Sequence, residues 1–140
     1  MPNLGQKLFW AFAVLIATML QGCFVGSCEI KPDSDGHVSI PNEWTSIASR
    51  AFEECTTLVS VSMGVSVTNI GNGAFMGCRG LRNVTIGPYV SVIGVDAFKS
   101  CTSLETVIIP DATKSIQSNA FDGCTNLRKV TFGNSLSSLG

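Results

Sequence analysis

Residues 93–109 read IGVDAFKSCTSLETVII, and the centre of this stretch is the phrase Ala-Phe-x-x-Cys-x-x-Leu-x-x-Val. The phrase occurs four times, beginning at Ala51, Ala74, Ala97 and Ala120, always with a step of 23 residues. A repeat of constant length in this range is typical of a solenoid, in which each unit forms one turn of a coil. The sequence therefore predicts stacked coils in which each residue packs on its own copy.

Further apolar positions keep the same period on both sides of the phrase. One column precedes it and another follows it, with the members Ile47, Ile70, Ile93, Ile116 and Leu139, and Ile40, Met63, Ile86, Ile109 and Phe132. Alternating apolar and polar residues from Ser60 to Met63 predict a half-buried strand in each coil. The apolar spacing from Ile70 to Cys78 predicts about two turns of helix or 3-10 helix in the other half.

The extended pattern, Ile-Gly-x-x-Ala-Phe-x-x-Cys-x-x-Leu-x-x-Val-x-Ile, resembles the BspA-type leucine-rich repeat across roughly residues 37–140. The resemblance implies an α/β solenoid, a right-handed leucine-rich-repeat superhelix with one parallel strand and one short helical or 3-10 segment per 23-residue turn. The repeats would make about 4.5 turns. For function, the resemblance implies a surface or secreted binding and adhesion protein, without indicating a ligand.

Residues 1–27 form a separate segment. Lys7 is followed by the uncharged run Leu8–Leu20 and then by small residues, a pattern typical of a secretory signal peptide. When the apolar run is extended to Gly26, it is long enough to be a signal anchor instead. Both alternatives carry the repeats across a membrane, so we expect a secreted or cell-surface protein that contacts the membrane only through this segment.

The sequence from Leu20 to Cys23 also resembles a bacterial lipobox, in which Cys23 would be lipidated. Gln21 departs from the small residue usual there, and the alternative is a cysteine in or beside a cleavage site. Residues 28–36 are polar and rich in turn formers, and we expect them to link the targeting segment to the repeats at 37–140.

The sequence stops in the middle of a repeat. Leu139 and Gly140 take the phase of Ile70 and Gly71, before the Ala-Phe-x-x-Cys half of the next unit. An uncapped solenoid end exposes core side chains and strand edges. We therefore expect a truncated chain or one that pairs end to end.

The composition and motifs argue against several function classes. Charged residues make up 14% of the chain, the net charge is -1, and the nine Lys and Arg residues are scattered, which disfavours nucleic-acid binding. No glycine-rich phosphate loop, paired acid and base, or zinc-ligand spacing occurs. His37 is expected to face solvent without the partners that a catalytic histidine needs. We expect no enzymatic activity, no cofactor and no metal.

Two columns of the phrase are expected to fill the core. Stacked copies point their side chains in parallel, so the cysteines should be buried free thiols and not disulfides. The phenylalanines should form one buried stack, and Trp44 should cover its first coil. The two columns are Cys55, Cys78, Cys101 and Cys124, and Phe52, Phe75, Phe98 and Phe121.

The outward face of the strands remains as the expected binding surface, because stacked strands form a continuous platform. Arg82, Glu105 and Arg128 stand one above another; they either contact a partner or, as we expect, form ion pairs between coils. Asn83 begins an N-glycosylation sequon. The candidate partner-binding residues are Ser60, Ser62, Arg82, Asn83, Thr85, Glu105, Thr106, Ile108, Arg128, Lys129 and Thr131.

We thus expect an extracellular or cell-surface module that binds a protein or cell-surface ligand through this face. The alternative is a structural spacer, or the N-terminal fragment of a larger repeat-containing receptor, with no binding activity of its own.

Overall fold

The structure is a computed structural model that describes Cys28 and residues 30–140. The predicted signal peptide or anchor and Cys23 lie outside the described residues. Ten short strands follow one another along the described residues: β1 (His37–Ser39), β2 (Ser46–Ile47), β3 (Ser60–Ser62), β4 (Asn69–Ile70), β5 (Asn83–Thr85), β6 (Val92–Ile93), β7 (Thr106–Ile108), β8 (Ser115–Ile116), β9 (Lys129–Thr131) and β10 (Ser138–Leu139). No helix in this part of the chain is long and apolar enough to cross a bilayer.

The strands form two parallel sheets of five. Sheet 1 contains the three-residue strands in the order β1-β3-β5-β7-β9, and sheet 2 contains the two-residue strands in the order β10-β8-β6-β4-β2. Each residue pairs with its copy 23 positions later, as Val38 pairs with Val61 and Ile47 pairs with Ile70. The chain makes about four turns from β1 to β9, which confirms the solenoid and its period.

The phenylalanine column lies at the centre of the core between the sheets. Ring centroids are 5.0 Å apart between Phe52 and Phe75, 5.1 Å between Phe75 and Phe98, and 5.3 Å between Phe98 and Phe121, with the ring planes nearly parallel. The first three rings are fully buried. Phe121 is half-buried because the outermost coil packs on one neighbour instead of two. The predicted stack is confirmed.

The predicted helical segment in each coil is wrong, because the described residues contain strands and turns but no helix. Alternate amides in this half of the coil donate to the next coil: Phe52 N–H donates to the Ala74 carbonyl at 2.8 Å. The amides between them close isolated local turns, as Cys55 N–H does with the Phe52 carbonyl at 3.1 Å. About half of the backbone N–H groups in this segment therefore donate to the neighbouring coil and cannot form the hydrogen bonds of a helix.

Two left-handed residues in every coil make a helix impossible here. In the first coil they are Arg50, with φ 62°, and Glu54, with φ 56°. A right-handed helix cannot continue through such residues, and the conformation itself costs about 1 kcal/mol or more for most side chains. Their copies in later coils are also left-handed, and these are Gly73, Gly77, Asp96, Ser100, Asn119 and Gly123.

Gly73→Ala should lower the free energy of unfolding by about 1 kcal/mol. A Cβ added at Gly73 would have its nearest neighbour 3.5 Å away, so the loss reflects the left-handed φ of 63° and not a clash. Gly73→Asn is the matched control; it should lose less, because asparagine enters this region more readily and Asn119 occupies the same place two coils later with φ 58°. Urea unfolding of the three proteins measures both effects, and equal losses for Ala and Asn would contradict the argument.

The segment before β1 is attached to the first coil. Asp33 Oδ1 accepts hydrogen bonds from the amides of Asp35 and His37, both at 2.9 Å, which close a turn ahead of the strand. These hydrogen bonds hold the pKa of the Asp33 carboxyl below its ordinary value, and the one donated by the His37 amide has the larger effect. Ile30 and Trp44 are half-buried and pack against the core, so Trp44 covers the first coil as the sequence predicts.

Candidate functional site

The strand face is the outward surface of sheet 1. It consists of the first and third residues of each strand of that sheet and the residue before each strand from β3 onward, whereas the middle residues, such as Val61 and Val107, are buried in the core. The inner strands β3, β5 and β7 each pair with a neighbour on both sides. Over these strands, a partner on this face must therefore be recognised by side chains.

The structure brings all the predicted partner-binding residues together on the strand face. Ser60 and Ser62 are half-buried, and the others are exposed. Asn83 is exposed on β5, so its sequon is accessible. In chain order the predicted residues are Ser60, Ser62, Arg82, Asn83, Thr85, Glu105, Thr106, Ile108, Arg128, Lys129 and Thr131.

The amino-terminal end of the strand face carries a histidine–serine cluster that the sequence did not predict. Nδ1 of His37 lies 2.7 Å from the Ser60 hydroxyl, and Nε2 lies 3.1 Å from the hydroxyls of Ser39 and Ser62. His37 is consequently half-buried, although we expected it to face solvent. The 23-residue register was the available signal, because it places Ser60 directly beside His37.

The ion pairs expected between Arg82, Glu105 and Arg128 do not form in the structure. The three ion pairs found among the described residues all lie near the turns that follow sheet 2, namely Arg50–Glu53, Lys99–Asp96 and Lys99–Asp122. All three side chains are exposed, and closing an exposed pair gains too little to hold two long side chains together. The cations of the strand face are thus left without protein partners within residues 30–140.

The thiol column is partly as predicted. Cys78, Cys101 and Cys124 are free, and each Sγ donates to a phenylalanine carbonyl of the preceding coil, at 2.9, 3.2 and 3.1 Å. Burial raises the pKa of the Cys78 thiol to about 12. The neighbouring Cys124 thiol, together with burial, raises the pKa of Cys101. At neutral pH the thiols of Cys78 and Cys101 are protonated, and they act as small buried core groups.

The expectation of a free thiol at Cys55 is wrong. Cys55 forms a disulfide with Cys28, and the two Cα atoms are 5.4 Å apart. The argument from parallel side chains holds between copies of a repeat, but Cys28 is not a copy, because it lies 27 residues before Cys55 instead of 23. The thiols of the later coils each donate to the phenylalanine carbonyl of the preceding coil. Cys55 has no such phenylalanine before it in the described chain, and its Sγ is bonded to Cys28 instead.

No group of three or more histidine, cysteine, aspartate or glutamate side chains suited to a metal ion occurs in the part of the chain that the structure describes. The chemistry of the strand face is that of hydroxyls, one imidazole, one amide, the exposed side chains of Val59 and Ile108, and a few charges. Such a surface is suited to recognition.

Comparisons with known proteins agree with this architecture. The family described as BspA type Leucine rich repeat region matches residues 20–140 with six copies. No curated protein matches the chain significantly.

Three solved structures of bacterial leucine-rich repeat proteins are similar to the chain. A leucine rich cell surface protein from Faecalibacterium prausnitzii A2-165 has 25% identity and a TM-score of 0.65, covering 79% of this chain and 37% of its own. The pneumococcal vaccine antigen PcpA has 25% identity and a TM-score of 0.72, covering 76% of this chain and 26% of its own. A leucine-rich repeat protein from Bacteroides capillosus ATCC 29799 has 28% identity and a TM-score of 0.66, covering 73% of this chain and 80% of its own.

Proposed function

Because this chain belongs to the BspA-type leucine-rich repeat family, we propose that it is an extracellular or cell-surface interaction and adhesion module that binds a protein or cell-surface ligand through its strand face. Binding, and not catalysis, is the role that we propose for this surface.

The observation that carries the proposal is the continuity of the strand face. Five strands lie in register, so their outward side chains form unbroken rows across about four coil spacings of about 4.8 Å each. The row made by the third residue of each strand is mostly small hydroxyl side chains, which leave that part of the sheet open to close approach. Stacked repeats use surfaces of this kind to bind partners.

Two observations support an extracellular location. Disulfides persist in oxidising compartments, and the Cys28–Cys55 disulfide is part of the fold. Two of the similar structures are described as a leucine rich cell surface protein and as a pneumococcal vaccine antigen.

The alternative role is a structural spacer or a fragment of a larger repeat-containing receptor. It is favoured by one observation: the chain spans only 37% and 26% of the lengths of the first two similar structures. In a longer protein, the binding surface would lie elsewhere and this part would only set its distance.

A steric block of the strand face distinguishes the two roles. The test variant carries Ser62→Gln, Thr85→Gln and Thr131→Gln, which lengthen three side chains without changing the charge. The control variant carries Ser46→Gln, Ser115→Gln and Ser138→Gln on sheet 2. The purified proteins are applied to an array of extracellular proteins and to cultured cells.

We expect the strand-face variant to bind at least about tenfold more weakly than the wild type, since blocking an interface centre commonly costs more than about 1.4 kcal/mol. The sheet 2 variant should bind within about twofold of the wild type. A wild-type chain that binds no probe supports the spacer role, and equal binding by all three proteins places the binding surface elsewhere.

A further inference from the structure

The charges of this chain are distributed unevenly between its surfaces. The strand face carries Arg82, Arg128 and Lys129 but only one carboxylate, Glu105, which gives it a net charge of +2. The whole chain has a net charge of -1. The strand face therefore has a net positive charge, whereas the chain as a whole has a net negative charge.

These cations have no ion-pair partner among the described residues, which is also true of Lys31, Arg79 and Lys114 outside the strand face. On the turns that follow sheet 2, Lys99 lies 3.5 Å from each of two carboxylates, Asp96 and Asp122. On the strand face, no carboxylate of the described residues lies within ion-pair distance of Arg82, Arg128 or Lys129. Their charge is available to a partner.

The cations lie on or just before the two strands that flank β7, which carries an exposed apolar side chain. Ile108 is 63% exposed at the third position of β7, where its copies on the neighbouring strands are Thr85 and Thr131. Arg82 belongs to the coil before Ile108, and Arg128 to the coil after it. Protein interfaces commonly combine arginine side chains with apolar contacts.

We propose that the partner of the strand face is an acidic protein surface, which places carboxylates against Arg82, Arg128 and Lys129 and an apolar contact against Ile108. This inference rests on the proposed function and adds the chemistry of the partner. A polysaccharide fits less well, because the strand face has no phenylalanine, tyrosine or tryptophan ring to stack on a sugar.

The contact area is confined to β5, β7 and β9. The other end of the face carries the histidine–serine cluster, and Asp33 and Asp35 lie exposed just before β1. Two coil spacings separate β1 from β5, where the contact area begins, a distance of about 10 Å. This is slightly longer than the Debye length of about 8 Å at physiological salt, so the charges before β1 are partly screened from the contact area.

The test uses defined probes and charge-matched variants. The acidic protein probe is a random copolymer of glutamate and tyrosine, and the acidic polysaccharide probe is alginate. The face variant carries Arg82→Gln, Arg128→Gln and Lys129→Gln. The control variant carries Lys31→Gln, Arg50→Gln and Lys114→Gln, which remove the same charge from exposed positions outside the strand face. Binding is measured by biolayer interferometry at about 50 and 300 mM NaCl, either side of physiological salt.

We expect the copolymer to bind the wild type more tightly than alginate does. The face variant should bind the copolymer about tenfold more weakly, because each exposed ion pair contributes at most a few-fold. The control variant should stay within about twofold, and high salt should weaken the wild type more than the face variant. Glu105→Gln should strengthen binding, because it removes the one repulsive charge, and Ile108→Thr should weaken it.

Several outcomes would overturn the inference. Alginate binding as tightly as the copolymer would indicate an anionic polysaccharide. An equal loss in the control variant would indicate nonspecific attraction. In a third outcome, the copolymer fails to bind while the Ser62→Gln, Thr85→Gln and Thr131→Gln variant loses binding to an arrayed protein. In that case the proposed function stands, and the inference of an acidic partner is wrong. If the copolymer responds to the face variant but no arrayed partner responds to the Gln block, the proposed function is the part that fails.

Discussion

Phe98→Ala is expected to lower the free energy of unfolding by about 3 to 5 kcal/mol, the range for removing a fully buried phenylalanine and leaving a cavity. Phe98 is fully buried and stacks on Phe75 and Phe121, so the substitution interrupts the column on both sides. The coils on either side contact one another only through this one. We therefore also expect the urea transition to broaden as the two halves lose their coupling.

Phe121→Ala is the matched control for this experiment. Phe121 stacks on a single neighbour and is already half-buried, so its removal leaves a recess open to solvent instead of a closed cavity. We expect a loss of about 1 to 2 kcal/mol. Urea unfolding followed by circular dichroism measures both variants. Equal losses at the two positions would mean that the column does not stabilise the chain as a linear stack.

Cys28→Ser is expected to lower the free energy of unfolding by about 3.5 kcal/mol, because the lost disulfide closes a loop of 27 residues in the unfolded chain. It also releases Cys28 from its place against the core. Thermal unfolding with and without a reductant provides the measurement. The wild type should fall to the stability of the variant when reduced, whereas the variant should not respond to the reductant.

Site-resolved alkylation gives an independent control. In denaturant without a reductant, Cys78, Cys101 and Cys124 should be labelled, but Cys28 and Cys55 only after reduction. A wild type that is indifferent to reductant, with Cys55 labelled beside the other three, would contradict the disulfide.

The periodic part of the fold was predictable from the sequence because each residue packs on its own copy. Once Phe52, Phe75 and Phe98 were seen at one spacing, their stack followed from the register alone. The same reasoning placed Thr85 and Thr131 on one outward face. In a regular repeat, each coil contacts only its neighbours, so the contacts of one coil predict those of all the others.

The turns were wrongly predicted to be helical, because the spacing of apolar residues does not show which carbonyl groups the backbone amides bond to. Ile70, Ala74, Phe75 and Cys78 have helical spacing, yet their coil bonds to its neighbours instead of to itself. A signal was present in the two columns that are left-handed in every coil. Glycine, asparagine and aspartate enter this region most readily, and they fill most of those positions, namely Gly73, Gly77, Asp96, Asn119 and Gly123.

The disulfide and the histidine–serine cluster were missed for different reasons. Cys28 lies off the lattice of repeats, so no periodic argument connects it to Cys55. His37 lies on the lattice, but its contacts depend on how far an imidazole reaches across to Ser60 and Ser62. Contacts of this kind are properties of side-chain conformation, which register alone does not determine.

The bonding between coils also determines how the chain responds to a pulling force. Backbone hydrogen bonds such as that from Phe75 to Ala97 run along the stacking axis, so a load on that axis opens one coil at a time. Each opened coil of 23 residues adds up to about 80 Å of contour length. The disulfide prevents the loop from Cys28 to Cys55 from extending. Under tension the chain acts as an extensible tether whose first coil keeps its length while the later ones yield in sequence.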